Sequence, residues 1–159
     1  MKVVIIGGVA GGASAAARLR RLDESAEIVM VERTGYVSYA NCGLPYYVGG
    51  VIADRAELTL QTPERFRERF NIDVRVGSEV TAINREAKTV SVREAETGRI
   101  YEEPYDKLIL APGAAPVVPA AVSLDSPRVF TLRTVEDALA LRAFVTEKTP
   151  RRAVVVGGG

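Results

Sequence analysis

One cysteine, Cys42, stands in the stretch Ser38 to Gly50 (SYANCGLPYYVGG) of a chain that contains no histidine. A single thiol cannot close an internal disulfide. A lone cysteine is commonly a small buried hydrophobe. Gly43-Leu44-Pro45 instead suits a thiol near the start of a short helix, where the partial positive charge of the helix end favours thiolate.

A second group of chemistry-bearing residues lies near the start. GGVAGG, Gly7 to Gly12, partly fits G-x-G-x-x-G: Gly7 and Gly12 take its first and third positions and Val9 its second. Glu32 follows 20 residues beyond Gly12, where an acidic side chain can accept from both hydroxyls of an adenosine ribose. The competing reading is a glycine turn that packs helix on strand, with Glu32 on the surface. Ser14, Arg18 and Arg21 fall at i, i+4 and i+7, one helix face able to meet an anion or simply a solvated basic face. Arg20 reads as surface.

These residues need elements to hold them. Val3 to Ile6 reads as a strand, Ala13 to Leu22 as a helix and Glu27 to Glu32 as a second strand, a βαβ unit with parallel strands. Thr62-Pro63-Glu64 caps a helix that continues through Phe70. Val74 to Val76, Glu79 to Ile83, Thr89 to Arg93 and Arg99 to Tyr101 read as an antiparallel meander inserted in the parallel fold. Tyr105 to Leu110 returns to a buried strand, Ala111 to Val122 is linker-like, and Thr134 caps a helix to Val145. Ala153 to Gly159 (AVVVGGG) repeats the opening plan of strand into glycines without its helix, so the chain reads as a fragment stopping inside a second nucleotide domain.

The 159 residues, 47% hydrophobic, suffice for a packed core, and a formal net charge of +1 gives no general pull toward nucleic acid or a membrane surface. Seventeen arginines against four lysines favour local, bidentate anion contacts. With no signal sequence and no membrane-length apolar run, the cytoplasm is the expected compartment.

Taken together, GGVAGG, SYANCGLPY, YDKLILAPGA and RAVVVGGG resemble the N-terminal third of the flavin-dependent pyridine nucleotide-disulfide oxidoreductases, in the branch that reduces coenzyme A disulfide. The resemblance implies a Rossmann-like FAD-binding domain at 1–115, a linker at 116–127 and the beginning of an NAD(P)-binding domain at 128–159. It implies FAD contacts at Gly7, Gly8, Val9, Ala10, Gly11, Gly12, Glu32, Arg33, Val80, Ala111, Pro112 and Gly113, with Pro112 where the family has Thr. It assigns Ser14, Arg18, Arg21, Ser38 and Asn41 to coenzyme A and makes Cys42 the catalytic thiol, in a homodimeric NAD(P)H-dependent enzyme.

Two departures choose among relatives. Tyr47 stands where two-cysteine members carry the second cysteine, and Ala10-Gly11-Gly12 stands where peroxidases and oxidases of the family carry His-Gly-Gly. The expectation is reduction of coenzyme A disulfide, or a related persulfide or polysulfide, through a Cys42–coenzyme A mixed disulfide. An NADH oxidase or peroxidase cycling Cys42 through sulfenic acid, and a non-catalytic nucleotide-binding module, are the alternatives.

Overall fold

The β-branched run at the start forms β1 (Lys2–Ile6), and Val3, Val4 and Ile5 are buried from both sides, as a central parallel strand requires. α1 (Ala10–Leu22) returns the chain so that β2 (Glu27–Val31) pairs with β1 in parallel, Lys2 opposite Glu27 through Ile6 opposite Val31. The computed structural model describes residues 1–123 and 125–157. They fall into two units, 1–40 with 59–115, and 41–58 with 116 onward.

In the first unit, Thr62 caps α3 (Pro63–Phe70), its Oγ1 accepting from the N–H of Arg65 at 3.3 Å, as expected from Thr-Pro-Glu. β3 (Asp73–Arg75) follows and pairs in parallel with β2, Val29 opposite Asp73. This corrects the sequence reading, which put Val74 to Val76 in the meander: three residues carry too little periodicity to name their partner, and the open edge of β2 claims them. The meander proper is β4 (Ser78–Asn84), β5 (Thr89–Glu94) and β6 (Ile100–Pro104), antiparallel in that order. β7 (Lys107–Leu110) then pairs with the free side of β1, giving the order β3-β2-β1-β7.

Alternation along the strands sorts the core into two layers. Val3, Ile5, Ile28 and Met30 pack with Ala13 and Ala16 of α1 and Phe66 of α3. Val4, Val29 and Val31 pack with Val90 and Val92 of β5. The meander thus covers the face of the parallel sheet opposite α1 and α3, where a doubly wound fold would carry helices, and both faces of the sheet are buried.

Two polar clusters reinforce this unit. Arg20, read from sequence as surface, is buried: Nε donates to Phe70 O (2.7 Å), Nη2 to Asn71 O (2.8 Å), and Nη1 to Glu24 O (2.6 Å) and Asp23 O (3.3 Å). One planar guanidinium satisfies the orphan carbonyls where α1 and α3 end, which a lysine could not do. Glu103 of β6, 6% exposed, accepts from Lys2 Nζ at 2.6 Å and from Arg75 Nη1, joining β1 and β3 to the meander. Burial alone would raise the Glu103 carboxyl, but the Lys2 and Arg75 hydrogen bonds outweigh it and hold the group below the ordinary glutamate range.

In the second unit, the Asn41–Gly43 turn runs into α2 (Leu44–Val48), which packs against α4 (Val135–Lys148). α4 starts in a capping box: Thr134 Oγ1 accepts from Asp137 N (3.2 Å) and Asp137 Oδ2 from Thr134 N (3.1 Å). The strand expected over Ala153 to Gly159 is not formed at residues 153–157. Residues 153–157 join no ladder, Val154, Val155 and Val156 are 76–89% exposed, and β-branched residues hold a strand only when a neighbour pairs with them. Gly158 and Gly159 lie outside the described residues.

Candidate functional site

Three chain segments leave the sheet at its carboxyl edge on adjacent strands: Gly7–Gly12 after β1, Glu32 after β2, and Ala111–Gly113 after β7. β1 is the strand at which the order reverses, the place where open α/β sheets bind ligands.

The glycines are there for space. Gly7, at φ +96°, donates its N–H to Val31 O (2.8 Å), and a Cβ on it would lie 2.1 Å from Ala111 O. A Cβ on Gly12 would lie 1.8 Å from Gly7 O, so this residue lets α1 start directly against the turn. Gly8 sits under Val37 Cγ1 and would bring a Cβ within 2.7 Å of it. Val9, at the second motif position, is the N-cap of α1 and offers no capping side chain. The first helical bond is Ala13 N to Val9 O, so the N–H groups of Ala10, Gly11 and Gly12 precede the ladder, and the first turn holds no acidic residue. That end of a 13-residue helix suits an anion.

Glu32 is buried rather than on the surface, which removes the plain surface reading. Its Oε2 accepts from Gly8 N (2.8 Å), while Oε1 accepts from Thr34 N (2.8 Å) and Thr34 Oγ1 (2.9 Å). A carboxylate offers about four acceptor positions, so three bonds leave it capacity for a ligand hydroxyl. An acceptor for hydroxyls beside donors for a phosphate fits the ADP half of a dinucleotide. The sequence reading missed Thr34; the only signal was an acid followed by Thr34-Gly35, ordinary turn composition.

The remaining expected cofactor residues are placed less alike. Ala111 donates its N–H to Ile6 O (2.8 Å) and is half-buried, while Pro112 and Gly113, the latter at φ +72°, are exposed. Arg33 is exposed and Val80 packs half-buried against the Val4, Val29 and Val31 layer.

Ser38 belongs to the same unit. At φ +47°, uncommon for a residue with a Cβ, it donates its N–H to Gly8 O (2.8 Å) and accepts at its own carbonyl from Leu60 N (2.9 Å). The segment leading to the cysteine is therefore tied to the glycine turn. Ser14, Arg18 and Arg21 are exposed on α1 at the expected spacing.

Asn41 and Cys42 fall in the second unit, both exposed, in the turn that ends at Gly43, the N-cap of α2. Cys42 is thus two residues ahead of the first helical residue and open to a partner sulfur. Tyr47, at the place of the second cysteine of dithiol relatives, is buried on α2.

Comparison with known proteins agrees with this arrangement. The model of the pyridine nucleotide-disulphide oxidoreductase family matches residues 1–159. The coenzyme A disulfide reductase of Staphylococcus haemolyticus is 41% identical over 99% of the chain, and that of Staphylococcus aureus strain Newman 43%. The crystal structure of reduced Bacillus anthracis CoADR-RHD superposes with a TM-score of 0.90 at 55% identity over 94% of the chain and 27% of its own. An NAD-dependent persulfide reductase from A. fulgidus gives 0.87 at 38%, over 92% of the chain and 28% of its own, and a water-forming NADH oxidase from Lactobacillus brevis gives 0.86 at 31%, over 92% and 32%. The chain spans 35% of the length of the staphylococcal reductases. Across its full length, and with its glycine turn, buried acid and exposed thiol in the places described, the chain belongs to the pyridine nucleotide-disulphide oxidoreductase family.

Proposed function

We propose that this chain is the FAD-binding part of an NAD(P)H-dependent flavoprotein that reduces coenzyme A disulfide, or a related persulfide or polysulfide, through Cys42. The observation that carries the FAD assignment is the buried Glu32, which braces Gly8 while keeping acceptor capacity beside the N-terminus of α1. Gly7 to Gly12 would cradle the pyrophosphate, Glu32 and Arg33 would meet the adenosine, Val80 would line it, and Ala111 to Gly113 would approach the flavin end. When bound, FAD supplies the two electrons drawn from NAD(P)H.

At Cys42 the thiolate attacks one sulfur of the substrate disulfide. A Cys42 S–S bond to one coenzyme A forms, and the other coenzyme A leaves as thiolate. Return to the starting thiolate takes two electrons and frees the second coenzyme A. Ser14, Arg18 and Arg21, with Ser38 and Asn41, would bind the coenzyme A phosphates and pantetheine arm. Similarity to reductases of coenzyme A disulfide and of persulfide supports this substrate class. The 31% identity to an NADH oxidase keeps sulfenic-acid chemistry as the second reading, and Ala10, in place of the imidazole, favours the first. We place the domain limits at 1–115, 116–127 and 128–159 and read the full-length enzyme as a homodimer.

Cys42→Ser in the full-length enzyme tests this. The variant is expected to lose disulfide reduction while NAD(P)H still bleaches its flavin, because a hydroxyl cannot exchange with a disulfide. Retained disulfide reductase activity would remove Cys42 from the mechanism.

A further inference from the structure

α2 is five residues long, carries Pro45 in its first turn and is followed at once by Gly49 and Gly50, the latter at φ +78°. A helix this short has little stability of its own, and two glycines give the following chain wide freedom. Its C-terminal end is nevertheless closed: Val51 N and Ile52 N both donate to Tyr46 O, at 2.9 and 3.2 Å.

What locks this end comes from α4. The Arg142 guanidinium lies over the face of the Tyr47 ring, 4.2 Å from its centroid, and its Nη1 donates to Ile52 O at 3.0 Å. One rigid cation therefore grips the segment on both sides of Gly49-Gly50, at a ring that is itself buried. A cation over a tyrosine face together with a hydrogen bond to a carbonyl is a directional pair of contacts that Lys cannot reproduce in full. Tyr47 serves here as the anchor, at the position where dithiol members hold sulfur.

We propose that Arg142 is a positioning residue for thiol exchange: by clamping Tyr47 and Ile52 it fixes α2 and hence the direction in which the adjoining Asn41–Gly43 turn presents Cys42. Exchange needs the attacking, central and leaving sulfurs nearly in line, so a loosened turn lowers the fraction of encounters that react while leaving substrate binding largely alone. The inference rests on Cys42 being the exchanging thiol. Neither the role of Arg142 nor that of Tyr47 follows from the sequence pattern, since they are 95 positions apart.

The test uses full-length, flavin-loaded enzyme carrying Arg142→Met, Arg142→Lys, Tyr47→Leu and the Arg142→Met/Tyr47→Leu pair, with Cys42→Ser in parallel. Steady-state disulfide reduction, the rate of flavin reduction by NAD(P)H and amide exchange over 44–52 are measured. The expected result is a fall in kcat of about tenfold for Arg142→Met with KM nearly unchanged, the size of one such contact pair lost. Flavin reduction stays at the parent rate, Arg142→Lys recovers part of the loss, and the double variant loses no more than the worse single one. Faster amide exchange over 44–52 with kcat intact overturns the proposal, as does a parallel loss of flavin reduction and flavin content, which would make Arg142 a fold support. Strict additivity with Tyr47→Leu overturns it as well. Activity retained by Cys42→Ser would instead overturn the thiol reading and the inference with it.

Discussion

Adding one methyl group at Gly12 and at its neighbour Gly11 should have opposite effects. At Gly12 the new Cβ would stand 1.8 Å from Gly7 O, 2.9 Å from Gly7 C and 3.2 Å from Ile5 Cγ2. Relief requires the Gly7 carbonyl to retreat by about 1.6 Å to reach an ordinary contact, and overpacking of this kind costs about 3 kcal/mol or more. Gly7 cannot give way cheaply, because its N–H is bonded to Val31 O and its own Cα faces Ala111 O. At Gly11 a Cβ meets only Ala111 Cβ at 3.5 Å, and an alanine in a helix is worth about 0.5 to 1 kcal/mol over glycine. Urea unfolding of flavin-free full-length protein should therefore show Gly12→Ala destabilised by about 3 kcal/mol and Gly11→Ala stabilised by a fraction of one. Titration with FAD then separates packing from ligand approach: a stable Gly11→Ala that binds FAD poorly places the cofactor against that N–H. Equal stability of the two variants would refute the reasoning.

Two further outcomes test the electrostatics. Glu103 is held below the ordinary glutamate value of about 4.5, so its contribution is complete above that pH and is lost as pH falls through the lower native value. Lys2 is raised, chiefly by its hydrogen bond to Glu103, so its share is present below about 10.5 and is lost as pH rises above that. A Glu103→Gln variant should flatten the acid limb of a Tm-against-pH profile relative to the parent, and an unchanged limb would remove Glu103 from acid stability. Changing Arg18 and Arg21 together to Ala should raise KM for coenzyme A disulfide about a hundredfold while barely altering reduction of a small phosphate-free disulfide, since each charge-assisted contact is worth about 1.5 kcal/mol or more; equal effects on both substrates would make these arginines a solvated face.

How much of this was legible in the residues depended on whether the signal was local. Val3 to Ile6 running into Gly7, the capped α3 and the Glu32 position are short-range patterns, and the corresponding elements form where expected. β3 was misassigned because three residues cannot declare a parallel partner, and the partner is β2, far upstream. Arg20 looked like its exposed neighbour Arg21. Only the meeting of the ends of α1 and α3, some 50 positions apart in sequence, creates the four carbonyls that bury it. The same holds at the site. The glycine spacing and the acid could be read directly, but the Gly8–Glu32–Thr34 brace, the bond from Ser38 to Gly8 and the Arg142 clamp exist only once the chain has closed. The valines at 154–156 carried a strand pattern that has no pairing neighbour among the described residues.

The central claim is that Cys42 exchanges with coenzyme A disulfide, and mass spectrometry of the full-length enzyme, incubated with that disulfide in the absence of NAD(P)H, addresses it most directly. The account predicts one coenzyme A per chain attached to the peptide containing Cys42, released intact when NAD(P)H is added. A Cys42 that instead gains only oxygen, or remains a free thiol throughout, would contradict it.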